Sequence, residues 1–385
     1  MQDETPANLR LHGAAVLGSD GLEPRDLGLA GGRIHAEADG RAIDLRGFWV
    51  LPGLVDLHGD GFERHLAPRR GMVRDLTASL PQVEMELASC GITTAWLAQF
   101  WSWEGGMRAP EFATRLAHAL QDTSAERRID LRMQLRLETH MTGDAPAIEA
   151  LIRETGIDYL VFNDHLPHDR LETGRTPPRL AGSALKAGRA PEAHHALMQA
   201  LHEQAPEVPA FLARLATTLS RLGLHLGSHD DPDAQTRATF AQLGATISEF
   251  PTAKEAARAA REAGQTIIMG APNVLRGGSH NRGGLAAEDL IAEGLVDALA
   301  SDYHYPAMIG AALALVERGT LPLSAAWALI SARPAATMGL KDRGSLTEGK
   351  RADVIIFDPA TKQVIGCFAQ GRPVWIAGPL ADRLM

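Results

Sequence analysis

Five apolar runs in this sequence end in histidine, aspartate or glutamate, the side chains that hold divalent metal ions. The first ends His58-Gly59-Asp60. A spacing of two on a strand sends both side chains to one face, so an imidazole and a carboxylate can grip the same cation. The others end Glu138-Thr139-His140, Asn163-Asp164-His165, Ser228-His229-Asp230-Asp231 and Ser301-Asp302-Tyr303-His304. Taken singly, each is more often a hydrogen-bonded structural residue. Together they reverse that balance, because buried unpaired carboxylates at this density are costly. The expected metal ligands are His58, Asp60, Glu138, His165, His229 and Asp302. Such a nitrogen and oxygen set suits zinc, with manganese, iron and cobalt also compatible. Glu138 as a bridging carboxylate gives two ions per chain. A bound divalent ion brings the pKa of water near neutrality, so hydrolysis is the expected reaction class. Asp302 is the expected catalytic group, orienting that water and carrying its proton to the leaving group.

A second cluster of chemistry follows the seventh run, in Arg276-Gly277-Gly278-Ser279-His280-Asn281-Arg282-Gly283-Gly284. Free backbone N–H groups beside cationic and hydroxyl donors suit phosphate, with Arg276 or Arg282 forming paired hydrogen bonds to its oxygens. Arg64, His65, Arg69 and Arg70 follow the first run and add positive charge. The bland alternatives are a solvated glycine loop and an exposed charged face. Arg170, Arg175, Arg179, Lys186 and Arg189 fall in 168–195, which reads as a long loop and a candidate lid. Trp96, Trp101 and Trp103 read as packing and receive no chemistry.

These residues need a scaffold that brings distant segments to one rim. Eight buried-type runs, at 53–60, 92–100, 131–140, 159–165, 224–230, 246–251, 266–273 and 298–304, alternate with helical periodicity, as at 255–263 and 308–318. That order predicts an α/β fold, a (β/α)8 TIM-like barrel whose active site lies at the C-terminal strand ends. Short β-type runs from 9 to 51, and again at 351–358 and 373–377, predict a small β-sandwich built from both chain ends. The expected division is a composite sandwich of 1–51 and 341–385 and a catalytic barrel of 52–340.

The 385 residues are 45% hydrophobic and 22% charged, values that support a large core. A net charge of −9 argues against indiscriminate binding to nucleic acid or an anionic membrane, so an anionic small-molecule substrate must meet a local basic site. The two cysteines, Cys90 and Cys367, make no disulfide framework or metal motif. The opening MQDETPANLRLHG is acidic and polar, and no run reaches the length of a membrane span. The expectation is therefore a cytoplasmic protein, with a homodimer left open as its oligomeric state.

Val50-Leu51-Pro52-Gly53-Leu54-Val55-Asp56-Leu57-His58 resembles the first-strand signature of the amidohydrolase superfamily, and Glu348-Gly349-Lys350-Arg351-Ala352-Asp353 resembles its returning β-domain signature. Asp60 stands where the usual His-x-His motif has its second histidine. The His-x-Asp form is similar to that of the phosphonate-catabolism branch of the superfamily. So are Ala88-Ser89-Cys90-Gly91-Ile92-Thr93-Thr94, Glu249-Phe250-Pro251-Thr252, Met269-Gly270-Ala271-Pro272-Asn273 and Ser301-Asp302-Tyr303. Segments 62–70 and 166–195 diverge from that pattern. The resemblance implies a metal-dependent barrel that hydrolyses a ribose 5-triphosphate bearing a 1-methylphosphonate. The products would be diphosphate and 5-phosphoribosyl 1-methylphosphonate, on the carbon–phosphorus lyase pathway. His140 and His304 are then candidate orienters or substrate contacts.

Two alternatives stand beside this expectation. One is a C–N hydrolase acting on an N-acyl amino acid or cyclic amide, which gives no reason for Arg276 and its glycine loop. The other is a non-catalytic, metal-stabilised scaffold that docks onto other phosphonate-degrading proteins, which predicts bound metal without turnover.

Overall fold

A computed structural model describes residues 8–37, 39–69, 75–279 and 284–384. Its contacts form two compact units, one of Met1–Trp96, Ser124–Arg132 and Ile268–Met385, the other of Leu97–Thr123 and Met133–Ile267.

Eight strands hydrogen bond in chain order: β1 (Leu54–Gly59), β2 (Ile92–Trp101), β3 (Asp130–Glu138), β4 (Tyr159–Asn163), β5 (His225–His229), β6 (Ile247–Glu249), β7 (Thr266–Gly270) and β8 (Ala298–Ala300). Each expected run overlaps one of them, with boundaries slipping by a residue at Trp101 and Asp130. The runs are continuously apolar because a parallel sheet is covered on both faces; β1, β2 and β4 are buried at every position. The first and last strands meet in parallel at Gly59 and Asp302. There Asp302 N–H donates to His58 O at 2.9 Å, and Asp60 N–H donates to Asp302 O at 3.0 Å. The sheet therefore returns on itself as a TIM-like (β/α)8 barrel.

The register also fixes which residues terminate neighbouring strands. Glu138 pairs with Asn163, Phe162 with Ser228, and His229 with Glu249. Alternate residues of the strands do different work. Gln134 and Tyr159 bond to Glu249, while Phe162 stacks on Phe240 of helix Ala234–Gln242 at 5.8 Å. The helices expected at 255–263 and 308–318 occur as Lys254–Glu262 and Ala307–Glu317.

The chain ends meet in one six-stranded sheet, ordered Arg372–Ile376, Gln363–Ala369, Val354–Asp358, Trp49–Pro52, Ala15–Leu17 and Leu22–Pro24. Val354 pairs with Pro52 and Ile356 with Val50, so the expected joining of both termini is direct. A four-stranded sheet of Arg33–His35, Leu27–Ala30, Leu9–His12 and Arg41–Asp44 shares one core with it, including Leu11, Leu29, Ile43, Val50, Val354 and Phe368.

The reading of 168–195 as a loop is corrected. The segment contains helices His168–Glu172 and Leu180–Ala187 and the start of Pro191–Glu203. Gly174 and Gly188, at φ 63° and 68°, adopt the left-handed conformation that punctuates short helices, and Pro191 begins a helix where its missing N–H costs nothing. Leu166, Leu171, Met198 and Leu201 pack with Trp103 in one cluster, which supplies the burial that sparse apolar content concealed.

Gly59 has no room for a side chain. A Cβ there would lie 2.7 Å from Asp56 Oδ2, 2.8 Å from Tyr305 Cε1 and 2.9 Å from Ser301 Oγ. We expect Gly59→Ala to destabilise the protein by about 1–3 kcal/mol through overpacking. A urea-denaturation midpoint equal to that of the wild type would refute this account.

Candidate active site

The ends of β3, β4 and β5 bring three of the expected ligands into two interlocking groups. Glu138, fully buried, sets Oε1 2.6 Å from His165 Nδ1. Its Oε2 accepts from His165 N–H at 3.1 Å and from Trp103 Nε1–H at 3.3 Å. Glu104 Oε1 lies 3.4 Å from the same His165 nitrogen, and Arg108 holds Glu104 at 2.7 Å. Burial opposes protonation of His165, yet the carboxylates of Glu104 and Glu138 outweigh it and raise its pKa to about 9. Burial likewise works to raise Glu104, but His165 and Arg108 hold it down to about 2.

His229 continues the cluster. Its Nδ1 is 3.0 Å from Asp230 Oδ2, and its Nε2 faces Arg136 Nη2 at 3.0 Å. The Arg136 guanidinium lies 4.0 Å over the Phe100 ring, and the Phe250 ring meets His229 edge-on at 5.1 Å. Burial raises the Asp230 carboxyl, but His229 and Arg136 more than reverse this, to about 2. Donor atoms of Glu104, Glu138 and His165 lie within 4.8 Å of one another, as do those of His165, His229 and Asp230. Clustered imidazole nitrogens and carboxylate oxygens fit a borderline divalent cation.

The β1 and β8 ends form a second arrangement. His58 is fully buried, whereas Asp60 and Asp302 are half-buried, and the backbone ladder already described ties all three together. Behind them, buried Asp56 accepts from Ser301 N–H at 3.0 Å, from His58 N–H at 3.3 Å and from the Ser301 hydroxyl. Burial raises the Asp56 pKa, against the pull of those three donors.

The basic loops divide into paired and open parts. Arg64 and His65 both pair with Glu86, and the Arg64 guanidinium lies over Tyr305 at 5.5 Å. Arg276 ends helix Ala271–Arg276, with Gly277 at φ 72° turning the chain, and its guanidinium donates to the Tyr303 hydroxyl. Gly278 and Ser279 follow, half-buried, and His304 is exposed beside Tyr303. Arg70, His280 and Arg282 lie outside the described residues.

Sequence reasoning passed over Glu104, Trp103, Arg136 and Asp230, each of which touches His165, Glu138 or His229. Glu104 and Trp103 follow the second run with no ligand-like spacing, and Arg136 lies inside the third. Glu249 was visible as the end of the sixth run. It is fully buried and accepts from Gln134 Nε2–H at 2.6 Å and Tyr159 O–H at 2.7 Å.

The sequence profile described as the amidohydrolase family matches residues 71–366. The chain is 32% identical over 344 residues to the alpha-D-ribose 1-methylphosphonate 5-triphosphate diphosphatase of Escherichia coli (strain K12), covering 84% of this chain and 88% of that one. Among solved structures, it is similar to N-acetylglucosamine-6-phosphate deacetylase from Pasteurella multocida, with a TM-score of 0.61, 11% identity and coverage of 95% and 99%. It is also similar to dihydropyrimidinase from Brevibacillus agri, with a TM-score of 0.56, 15% identity and coverage of 96% and 95%. At those identities the likeness is one of fold.

In chelator-treated protein, His165 should titrate near pH 9 by NMR. Because its folded pKa lies above the ordinary histidine value of 6.5, the stability it contributes is complete below about pH 6.5 and lost as pH rises through about 9. Glu104 contributes fully above the ordinary glutamate value of 4.5 and loses its contribution as pH falls through about 2. Glu104→Gln should therefore lower the His165 pKa, and an unchanged titration would show that Glu104 does not hold it.

Proposed function

The chain belongs to the amidohydrolase family, and from that premise we propose that it is a metal-dependent hydrolase of a ribose 5-triphosphate phosphoanhydride. The observation that carries this reading is the identity, across most of both chains, to a relative named as a diphosphatase of alpha-D-ribose 1-methylphosphonate 5-triphosphate. The proposed reaction adds water across the anhydride, leaving 5-phosphoribosyl 1-methylphosphonate and releasing diphosphate, in phosphonate catabolism.

The proposed ligands are His58, Asp60, Glu138, His165, His229 and Asp302, which together would hold divalent ions, two per chain with zinc foremost. Glu104 and Asp230 support that set by fixing His165 and His229. Bound divalent ions supply a water of near-neutral pKa and offset charge on the phosphoryl oxygens. The work of the chain's own residues is positional and protonic. The Asp302 carboxylate takes the proton of the attacking water and returns it to the leaving diphosphate oxygen. Arg276, oriented by Tyr303, grips phosphoryl oxygens, and the Gly277, Gly278 and Ser279 N–H groups extend that grip. His280 and Arg282 are proposed to continue it, with Arg64 and His304 as outlying contacts. Unpaired Cys90 and Cys367 support a cytoplasmic setting. Among the described residues no helix is long and apolar enough to cross a membrane.

Diphosphate release from a ribose 5-triphosphate bearing a 1-phosphonate should require added divalent metal and should fall by about 10²–10⁴-fold in Asp302→Asn. Turnover by the metal-loaded wild type of an N-acyl or cyclic-amide panel, without diphosphate release, would overturn the phosphoanhydride reading in favour of C–N hydrolysis. Arg276→Ala should raise KM more than it lowers kcat if its grip is present equally in ground and transition states. A kcat loss with unchanged KM would instead assign it to the transition state alone.

A further inference from the structure

Within the unit that carries β4, a cluster adjoins the ligand set proposed above without sharing a residue with it. Asp164, just beyond β4, faces two histidines. Its carboxylate oxygens are 3.2 and 3.1 Å from His168 Nε2, and Oδ1 is 3.7 Å from His140 Nδ1. One donor atom from each of His140, Asp164 and His168 lies within 4.8 Å of the other two. Ligands bonded to zinc at 2.0–2.2 Å in a tetrahedron stand about 3.3–3.6 Å apart, and the separations of Asp164 Oδ1 from the two histidines, 3.2 and 3.7 Å, fall just either side of that range. These spacings leave room for an ion between the carboxylate and the two imidazoles.

One further feature favours a cation over a plain hydrogen-bonded cluster. On the far side of the His168 ring, Nδ1 lies 2.8 Å from Nδ1 of His202, with the rings 5.0 Å apart. Two facing imidazole nitrogens share one proton. If His168 Nδ1 carries it and donates to His202, His168 Nε2 presents its lone pair toward Asp164, the tautomer a metal requires. His140 is 3% exposed, and its Nδ1, which faces Asp164, also lies 3.2 Å from the Thr139 hydroxyl, a partner that a cation would have to displace or share. His140 also lines a cavity of about 820 Å³ with Met141, Asp144 and Arg189, which supplies an entry path.

We propose that His140, Asp164 and His168 form an additional binding site for zinc or a similar divalent cation, with His202 orienting His168 from behind. The site has three protein ligands and one position open to water. It ties the rim residue His140 to helices His168–Glu172 and Pro191–Glu203, and it does not depend on the substrate assigned to the barrel.

The test is a zinc count. Chelator-stripped full-length protein is titrated with zinc, and bound metal per chain is measured by elemental analysis in the wild type, His168→Ala, His202→Ala and the surface control Arg170→Ala. The expected result is one ion fewer in His168→Ala than in the wild type and Arg170→Ala. His202→Ala should keep the full count but hold the additional ion about 10–100-fold more weakly. An unchanged count and affinity in His168→Ala would overturn the proposal and leave a proton-sharing histidine cluster. Should His168→Ala fail to fold, wild-type protein answers by mass spectrometry. Zinc should slow modification of His168 by diethylpyrocarbonate several-fold, and equal rates with and without zinc would overturn the proposal. Loss of diphosphatase activity has no bearing on either readout, so this site and the proposed reaction fail independently.

Discussion

The first and last strands of the barrel are held in register by one buried carboxylate. Asp56 accepts three hydrogens, two from Ser301 at the end of β8 and one from the His58 backbone on β1. A charge taken out of water must be met by donors, and here the donors belong to the two strands that have to meet. Closing the sheet and orienting His58, Asp60 and Asp302 are consequently one event. The absence of a side chain at Gly59 is part of the same constraint, since the carboxylate, Tyr305 and Ser301 converge on the space a Cβ would take.

The second unit solves a similar electrostatic problem by pairing. Glu138 is buried without any cation on its own strand end, so His165 and the Trp103 indole approach it. Glu104 balances His165 in turn, and Arg108 balances Glu104. One strand further, Asp231 is wholly buried and is met by Arg237, Ser228 and Ser248. Neighbouring aspartates thus part company: Asp230 turns to His229, while Asp231 fastens the helix Ala234–Gln242 beneath the sheet. Adjacent positions in the sequence thus serve different partners, an imidazole at the strand end and the guanidinium of a helix.

Much of this was legible from residue order. The eight strands could be read because burial on both faces writes continuous apolar runs, and the polar residues that interrupt those runs mark the strand ends. Glu138 with His165, and His58 with Asp60 and Asp302, followed from that rule. The helices at His168–Glu172 and Leu180–Ala187 escaped it because they bury a single residue each, too little for a periodic signal. Trp103 and Glu104 escaped for another reason. Their contacts join the end of β2 to β3 and β4, and no local spacing encodes an approach across three strands. Arg64 shows the converse: its basic surroundings were plain in the sequence, but its partner Glu86 lies 22 positions away on a helix.

Three strand ends turn through backbone that side chains other than glycine's rarely adopt: Asp230 at φ 59°, Phe250 at 52° and Asp302 at 55°. Aspartate tolerates this region better than most residues, and phenylalanine does not. Each such residue stores about 1–3 kcal/mol of strain that glycine would relieve. Heat resistance and the retention of these side chains therefore pull in opposite directions at these positions. A lineage screened only for survival at high temperature would drift toward glycine at the rim and lose the Asp230 and Phe250 side chains that face His229. The rim is where this protein's thermal tolerance and its evolutionary freedom are traded against each other.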